Sequence, residues 1–287
     1  MDVKPLTAFG AEITGIDLTR PSPALTETCF QLFDTYGVCA FRDTGLDDAA
    51  HVAFSRQFGQ LEHAPLIRTR EQRFSLPALF DAGNLNADGT IRSDERSRLF
   101  SKGNQLWHTD SSFRPERSSY SMLLAHITPP EGGDTEFADM RAAYRALSPA
   151  MKGRIEGLEA EHTIWHSRKL AGYPDASERE TTMIPGARQP LVLVHPRTGE
   201  KAIYLARHIA HIVGLPKDES DALIDELIAF ATQPQFVYVH QWRVGDLLVW
   251  DNLCTMHRAT PFNDLGYPRD MRRTTVRDRP LEMVASE

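Results

Sequence analysis

Residues 246–257 read Asp-Leu-Leu-Val-Trp-Asp-Asn-Leu-Cys-Thr-Met-His, and this segment decides the predicted fold. It follows the turn signal Val244-Gly245-Asp246 and holds two short runs, residues 246–250 and 254–257, that are typical of β-strands. Similar runs recur throughout the C-terminal third, at residues 191–195, 202–206, 236–242 and 272–277. A helical pattern at about residues 220–232 interrupts them. Many short strands separated by turns predict a sandwich or barrel, such as a jelly roll.

The remainder of the chain is mixed. Residues 38–41 and 121–127 are predicted strands, and helical spacing favours helices at about 24–35, 48–58, 139–147 and 148–158. No internal repeat or linker is visible, so the helices should surround one β core. We therefore predict a mixed α/β, mainly β, fold with a double-stranded β-helix (jelly-roll, cupin-like) core and flanking helices, in one domain that spans residues 1–287.

Residues 82–105 form a polar, charge-dense stretch with no sustained period. The stretch predicts a long mobile loop that leads into a strand through His108. Because long loops in compact domains are often lids or binding loops, this one is a candidate for gating a site.

Composition excludes several classes of protein. The chain has 287 residues, 41% hydrophobic and 25% charged, as in ordinary globular proteins, and its net charge of −7 gives no reason to expect nucleic acid as a partner. No apolar stretch approaches the ~20 residues that span a bilayer, and no signal-peptide pattern is present, so neither a membrane partner nor export is expected. Three widely separated cysteines favour neither a disulfide nor a cysteine zinc site. The prediction is a cytoplasmic protein in a reducing compartment.

The segment Trp107-His108-Thr109-Asp110 indicates a metal site. On a strand, His108 and Asp110 point to the same face, where His257 could complete the ligand set from another strand. Two histidines and one carboxylate leave coordination positions open, as in non-haem Fe(II) oxygenases, whereas structural zinc prefers four protein ligands. A zinc hydrolase with the same three ligands stays open, as does an ordinary structural role for each histidine.

A cluster of arginines follows His257. If residues 269–275 form a strand, Arg269 and Arg273 share a face and would require anionic ligands if they were buried. A solvated basic strand neutralised by nearby acids is the alternative, and an inward Arg272 would break the pair.

The chain resembles the Fe(II)- and 2-oxoglutarate-dependent dioxygenases of the taurine and 2,4-dichlorophenoxyacetate dioxygenase group. The resemblance rests on residues 10–18, 54–59, 104–113, 132–135 and 250–252. Residues 110–113, 135–144 and 271–273 are most similar to the aryloxyalkanoate branch. Position by position, the resemblance implies an iron site of His108, Asp110 and His257, a 2-oxoglutarate site of Thr135 and Arg269, and a substrate contact from Arg273. Phe113 is a further candidate for substrate contact, with a core position as the alternative, and Asn104 is predicted either to hydrogen-bond the substrate or to cap the turn that leads to the site.

The resemblance also implies the reaction, in which O2 and 2-oxoglutarate give succinate and CO2 while a small anionic substrate is oxidised. For an aryloxyalkanoate such as 2,4-dichlorophenoxyacetate, the product is a hemiacetal that collapses to a phenol and a 2-oxo acid. An alkylsulfonate or another carboxylate remains an alternative substrate, and a non-catalytic jelly-roll binding protein is a third class. The oligomeric state is open, a homo-oligomer included. Four more histidines are predicted to be structural or surface residues: His162, His166, His208 and His211.

Overall fold

Strands and helices alternate along the residues that the computed structural model describes, 1–6, 9–63 and 73–278. The strands are β1 Asp2–Pro5, β2 Ala11–Thr14, β3 Val38–Phe41, β4 Phe80–Asp81, β5 Ser118–Ile127, β6 Thr135–Asp139, β7 Glu159–His162, β8 Ala187–Pro190, β9 Val192–Val194, β10 Lys201–Ile203, β11 Ile209–Ile212, β12 Val237–His240, β13 Leu247–Asp251, β14 Thr255–Ala259 and β15 Asp270–Arg277. The α-helices are α1 Pro23–Tyr36, α2 Asp48–Ser55, α3 Glu95–Lys102, α4 Met140–Ala146, α5 Pro149–Ile155, α6 Ile164–Leu170, α7 Glu178–Met183 and α8 Lys217–Ala231. The fold is thus mixed α/β, as predicted.

Two larger sheets organise these elements. A seven-stranded sheet has the order β1-β2-β3-β13-β5-β15-β4, and a three-stranded sheet has the order β12-β6-β14. Two smaller sheets, β11-β7-β8 and β10-β9, complete the β structure of the described residues. Strand pairing is antiparallel except between β2 and β3.

Alternating side chains on β13 connect the layers of the fold. Every residue of β13 is buried, because the strand lies inside the sheet with both faces covered. Leu247 and Val249 join the apolar cluster formed with α1 and α2, whereas Leu248 and Trp250 join Phe137 of the three-stranded sheet. On the far face of that sheet, Ala138 and Met256 pack in the cluster that includes α4, α5 and α8.

Most predicted elements are confirmed with small shifts of their ends. The strand runs at residues 38–41, 121–127, 191–195, 202–206, 236–242, 246–250, 254–257 and 272–277 all contain strands, and helices occur in each predicted helical stretch. All three cysteines are buried and free. No helix among the described residues has the length and apolar composition that a bilayer span requires.

Two local predictions are wrong. Residues 95–102 of the predicted loop form α3, which begins because the Asp94 carboxylate accepts the Ser97 amide proton (2.8 Å). Two of its arginines also form ion pairs, Arg96 with Glu180 and Arg98 with Asp264, each at 2.9 Å. His108 lies in a single β-bridge to His257 and Asp110 lies in the turn that follows, so the predicted regular strand through both is also absent.

Three buried histidines make acid sensitivity a testable property. Burial lowers the pKa of His51 and His108 to about 4 and that of His162 to about 3, from an ordinary value near 6.5. Between pH 6.5 and pH 4 the unfolded chain binds a proton at each of these histidines, whereas the folded chain does not. The free energy of unfolding is therefore highest above pH 6.5 and falls as the pH decreases towards 4. Each group contributes about 1.4 kcal/mol per pH unit in that window.

Urea unfolding of the metal-free protein between pH 7 and 4.5 measures this loss. His162 is a suitable position for a variant that tests this explanation. Neither of its ring nitrogens has a hydrogen-bond partner in the described residues, so its replacement breaks no hydrogen bond there. We expect His162→Phe, which keeps an aromatic ring beside Tyr204, to flatten the pH dependence. An unchanged slope in this variant would show that His162 is not one of the groups that take up protons on unfolding.

Candidate active site

A backbone bridge brings His108 to His257. His257 lies on β14, and the two residues exchange amide hydrogen bonds, each 2.8 Å from nitrogen to carbonyl oxygen. The ring centroids are 4.2 Å apart. Phe137 stacks on the outer side of the His257 ring, with centroids 5.8 Å apart and planes 20° apart. The fold therefore sets both imidazoles without the regular strand that the sequence suggested.

One ligand atom from each of His108, Asp110 and His257 lies within 4.8 Å of the others, and all three residues are buried. The His108 Nε2 is 4.0 Å from Asp110 Oδ1, and the His257 Nε2 is 3.8 Å from Asp110 Oδ2. His108 Nδ1 donates to the Leu106 carbonyl (2.7 Å), which leaves the Nε2 lone pair directed at the carboxylate. Such a donor set suits a divalent metal that keeps open positions.

The charge states suit metal binding. Burial lowers the pKa of His108 to about 4 and holds the pKa of His257 well below its ordinary value, so both imidazoles are neutral near pH 7. Burial acts to raise the pKa of Asp110, but the Arg273 guanidinium and the hydrogen bond from Ser121 outweigh it and keep that pKa below its ordinary value. Asp110 is therefore a carboxylate.

Ser121 and Asn252 orient Asp110. The Ser121 hydroxyl donates to Asp110 Oδ2 (2.8 Å) and accepts from the Asn252 amide (3.0 Å). The Asn252 carbonyl oxygen also accepts from the Trp250 indole (3.1 Å) and, at 3.4 Å, from the Asp110 amide. Asn252 belongs to a motif already noted in the sequence, but its role as a support for Asp110 was not anticipated.

A cavity of about 580 Å³ opens beside these residues. Its walls include His108 and Asp110 together with four of the predicted ligand contacts: Arg269, Arg273, Phe113 and Asn104. Residues far apart in the chain, from 104 to 273, therefore meet in one space.

Arg269 is 8% exposed and has no carboxylate partner among the described residues. Its Nη1 donates to the Ala82 carbonyl (2.7 Å), and burial lowers its pKa to about 10. Thr135 is buried nearby, with its hydroxyl accepting from the Trp242 indole at 3.0 Å. Thr135 is absent from the described residues that line the cavity, although its register partner Ala259 lines it.

The structure distinguishes Arg273 from Arg272. Arg273 Nη1 contacts Asp110 Oδ1, and its Cζ lies 4.8 Å from the centre of the Phe80 ring, in the cavity wall. Arg272 instead binds Asp48 (2.6 Å) and Asp270 (2.8 Å), outside the cavity lining. Arg269 precedes β15 and a register irregularity follows Asp270, yet Arg269 and Arg273 both reach the cavity.

Two other lining residues were missed. His208 was predicted to be structural or on the surface, but it is 2% exposed and lines the cavity. Its hydrogen bond to Ser167 (2.8 Å) is consistent with a structural role, but its place in the cavity wall was not anticipated, because folding brings its ring to 5.6 Å from His108 and 5.2 Å from Phe113. Arg168 also lines the cavity, where it binds Asn104 (2.9 Å).

Comparison with known proteins gives concordant results. The model of the family "Taurine catabolism dioxygenase TauD, TfdA family" matches residues 2–275. An alpha-ketoglutarate-dependent 2,4-dichlorophenoxyacetate dioxygenase of Cupriavidus pinatubonensis is 42% identical over 274 residues, which cover 94% of this chain and 95% of the relative. An (S)-phenoxypropionate/alpha-ketoglutarate-dioxygenase of Sphingobium herbicidovorans is 35% identical, covering 99% of this chain and 97% of the relative.

A solved structure is also similar. The crystal structure of AAD-2 in complex with Mn(II) and N-oxalylglycine superposes with a TM-score of 0.93 at 39% sequence identity. The match covers 97% of this chain and 98% of that one.

Proposed function

This chain belongs to the TauD/TfdA dioxygenase family, and from that premise we propose that it oxidises a small aryloxyalkanoate such as 2,4-dichlorophenoxyacetate. Membership confirms the resemblance seen in the sequence, and the enzyme is a 2-oxoglutarate-dependent non-haem iron dioxygenase that uses Fe(II), 2-oxoglutarate and O2. A zinc hydrolase and a non-catalytic binding protein no longer account for the chain.

We assign His108, Asp110 and His257 as the iron ligands. Their neutral imidazoles and single carboxylate suit Fe(II). The three ligand atoms also lie within 4.8 Å of one another, which supports their binding one ion. Iron with 2-oxoglutarate bound there supplies the oxidation that uses O2 and yields succinate and CO2. The protein residues position 2-oxoglutarate and the aryloxy substrate and exclude water from the site.

Arg269 is assigned to the distal carboxylate of 2-oxoglutarate. Its guanidinium is buried without a carboxylate partner, and a dicarboxylate would supply the missing anion. N-oxalylglycine, which the similar AAD-2 structure contains, is a dicarboxylate of comparable length and supports this assignment. Thr135 would assist through its hydroxyl, although it is the weaker partner because it is absent from the described residues that line the cavity.

Arg273 is assigned to the carboxylate of the aryloxy substrate. The single observation that carries the proposed function is the shared cavity, where His108 and Asp110 meet both Arg269 and Arg273. A substrate anchored by its carboxylate at Arg273 presents the adjacent carbon towards the ligand triad. Hydroxylation of that carbon, which also bears the aryloxy oxygen, gives a hemiacetal that releases a phenol and a 2-oxo acid.

We further propose that residues 1–287 form one domain with a double-stranded β-helix core. The seven-stranded and three-stranded sheets face each other through Phe137, Trp250 and Met271, which supports a jelly-roll arrangement. The high TM-score to a whole related chain supports a single unit.

A substrate panel tests the function. Phenoxyacetates, 2-phenoxypropionates and alkylsulfonates are incubated with the enzyme, Fe(II) and 2-oxoglutarate, and both succinate and released phenol are measured. We expect phenol and succinate in equal amounts from at least one aryloxy acid. Turnover of alkylsulfonates alone, or of no aryloxy acid, would overturn the proposed substrate class.

A further inference from the structure

Arg168 is a buried cation that has no role in the proposed binding of iron, 2-oxoglutarate or substrate. It lies on α6, is 5% exposed and lines the cavity. Its Nη2 donates to Asn104 Oδ1 (2.9 Å), whereas Nε and Nη1 have no hydrogen-bond partner in the described residues. No carboxylate within those residues forms an ion pair with it, although an unpaired buried charge is costly. An anion from outside the chain would satisfy it.

The surroundings hold the guanidinium in one place. Its Cζ lies 4.5 Å from the centre of the Phe100 ring. On another side it packs directly on Gly103, where an added Cβ would lie only 2.0 Å from Nη1. Glycine is therefore required at 103 for Arg168 to occupy this position, and Asn104 next to it fixes the remaining orientation. A cation placed so rigidly loses little entropy when it binds a ligand.

We propose that Arg168 contacts the carboxylate of the aryloxy substrate, together with Arg273, and so sets the preference for anionic substrates. The inference rests on the proposed function and extends it to a second cationic contact. Arg168 shares its part of the cavity with the apolar side chains of Ile164, Ile184 and Phe113, which suit an aryl ring. Arg269, by contrast, is held by the Ala82 and Gly133 carbonyls. The proposal therefore places Arg168 on the substrate and Arg269 on 2-oxoglutarate.

The structure also revises the role of Asn104. The sequence suggested either a hydrogen bond to the substrate or a turn cap, and the structure shows that the side-chain oxygen accepts from Arg168 (2.9 Å). Asn104 is accordingly a positioning residue, whose effect on substrate should pass through Arg168.

Anaerobic calorimetry tests the proposal. The enzyme loaded with Fe(II) and 2-oxoglutarate is titrated with an aryloxyacetic acid and with its neutral primary amide. We expect Arg168→Met to weaken binding of the acid by about 10- to 100-fold, as for loss of a charge-assisted hydrogen bond, and to leave the amide unchanged. Affinity for 2-oxoglutarate, titrated separately, should also stay unchanged. Arg188→Met is the control, since Arg188 is an exposed arginine paired with Glu161.

Gly103→Ala provides an independent variant that keeps the charge and moves it. We expect this variant to reproduce the selective loss of acid binding. If Arg168→Met fails to fold, Arg168→Lys serves instead, with an expected intermediate affinity for the acid, because lysine keeps the charge but lacks the planar donors.

Equal weakening of acid and amide would overturn the proposal, because it would indicate a change in cavity shape alone. Weaker 2-oxoglutarate binding with normal acid binding would assign Arg168 to the cosubstrate instead. Normal acid binding in the variants, when the unaltered enzyme binds the acid, would overturn this inference and leave the proposed function intact. If the unaltered enzyme binds no aryloxy acid, both fail.

Discussion

Replacing His257 with alanine is expected to abolish 2-oxoglutarate-dependent O2 consumption. Loss of residues that merely support a metal ligand already lowers affinity or activity by about 10- to 100-fold, so removal of a ligand should cost at least about 100-fold. The loss should appear equally in Fe(II) binding, because two remaining ligands hold the ion poorly. Asn252→Leu, which removes the support of Asp110 at Ser121, is expected to fall within the milder range.

The matched control is His211→Ala. His211 lies on β11 and is absent from the described residues that line the cavity. The His211→Ala variant should keep both its dioxygenase activity and its affinity for Fe(II). Retention of full activity and iron affinity by His257→Ala would contradict the assignment of this histidine as a ligand.

Replacement of Arg269 by methionine should raise the KM for 2-oxoglutarate by about 10- to 100-fold, since a charge-assisted hydrogen bond contributes about 1.5–3 kcal/mol. The variant should nevertheless fold. Arg269 is buried without an ion pair in the described residues, so its removal leaves no opposing charge stranded and relieves a desolvation cost. Thermal unfolding without 2-oxoglutarate is therefore expected to be unchanged or to shift upwards.

Arg273→Met should behave differently. We expect slow decay of 2-oxoglutarate to persist while its coupling to the aryloxy substrate is lost. Arg272→Met is the matched control on the same strand, because Arg272 is bound to Asp48 and Asp270 outside the cavity lining. Equal loss of 2-oxoglutarate affinity in the Arg269 and Arg273 variants would overturn the division of roles between them.

Local sequence patterns predicted those elements whose burial is reflected in their own amino-acid composition. The strand at Leu247–Asp251 is apolar almost throughout because both its faces are covered, and that composition is visible in the sequence. Helix α3 was missed because it is short and polar and depends on a cap at Asp94 and a distant ion pair at Asp264. The Asp94 cap is local, but the ion pair with Asp264 joins positions that no window of sequence contains.

The site shows the same contrast. Spacing suggested His108 and Asp110 as a pair, and the resemblance implied the residues that surround them. Arg168 was missed because, in sequence, it resembles the basic last turn of a short surface helix. Only packing against Phe100 and Gly103, more than sixty positions earlier, converts it into a buried cation.

The hairpin of β7 and β8 has a consequence for how such an enzyme acquires new substrates. His162 and Ala187 are register partners, so residues 163–186 leave and re-enter the sheet at neighbouring points. This excursion carries Ile164, Arg168 and Ile184 to the cavity, whereas the ligand triad lies on other segments. Residues 163–186 could thus be exchanged for those of a relative with little change to the sheet, because the two ends of the segment are adjacent in it. Selectivity could diversify in this one segment while the oxidising centre was inherited unchanged.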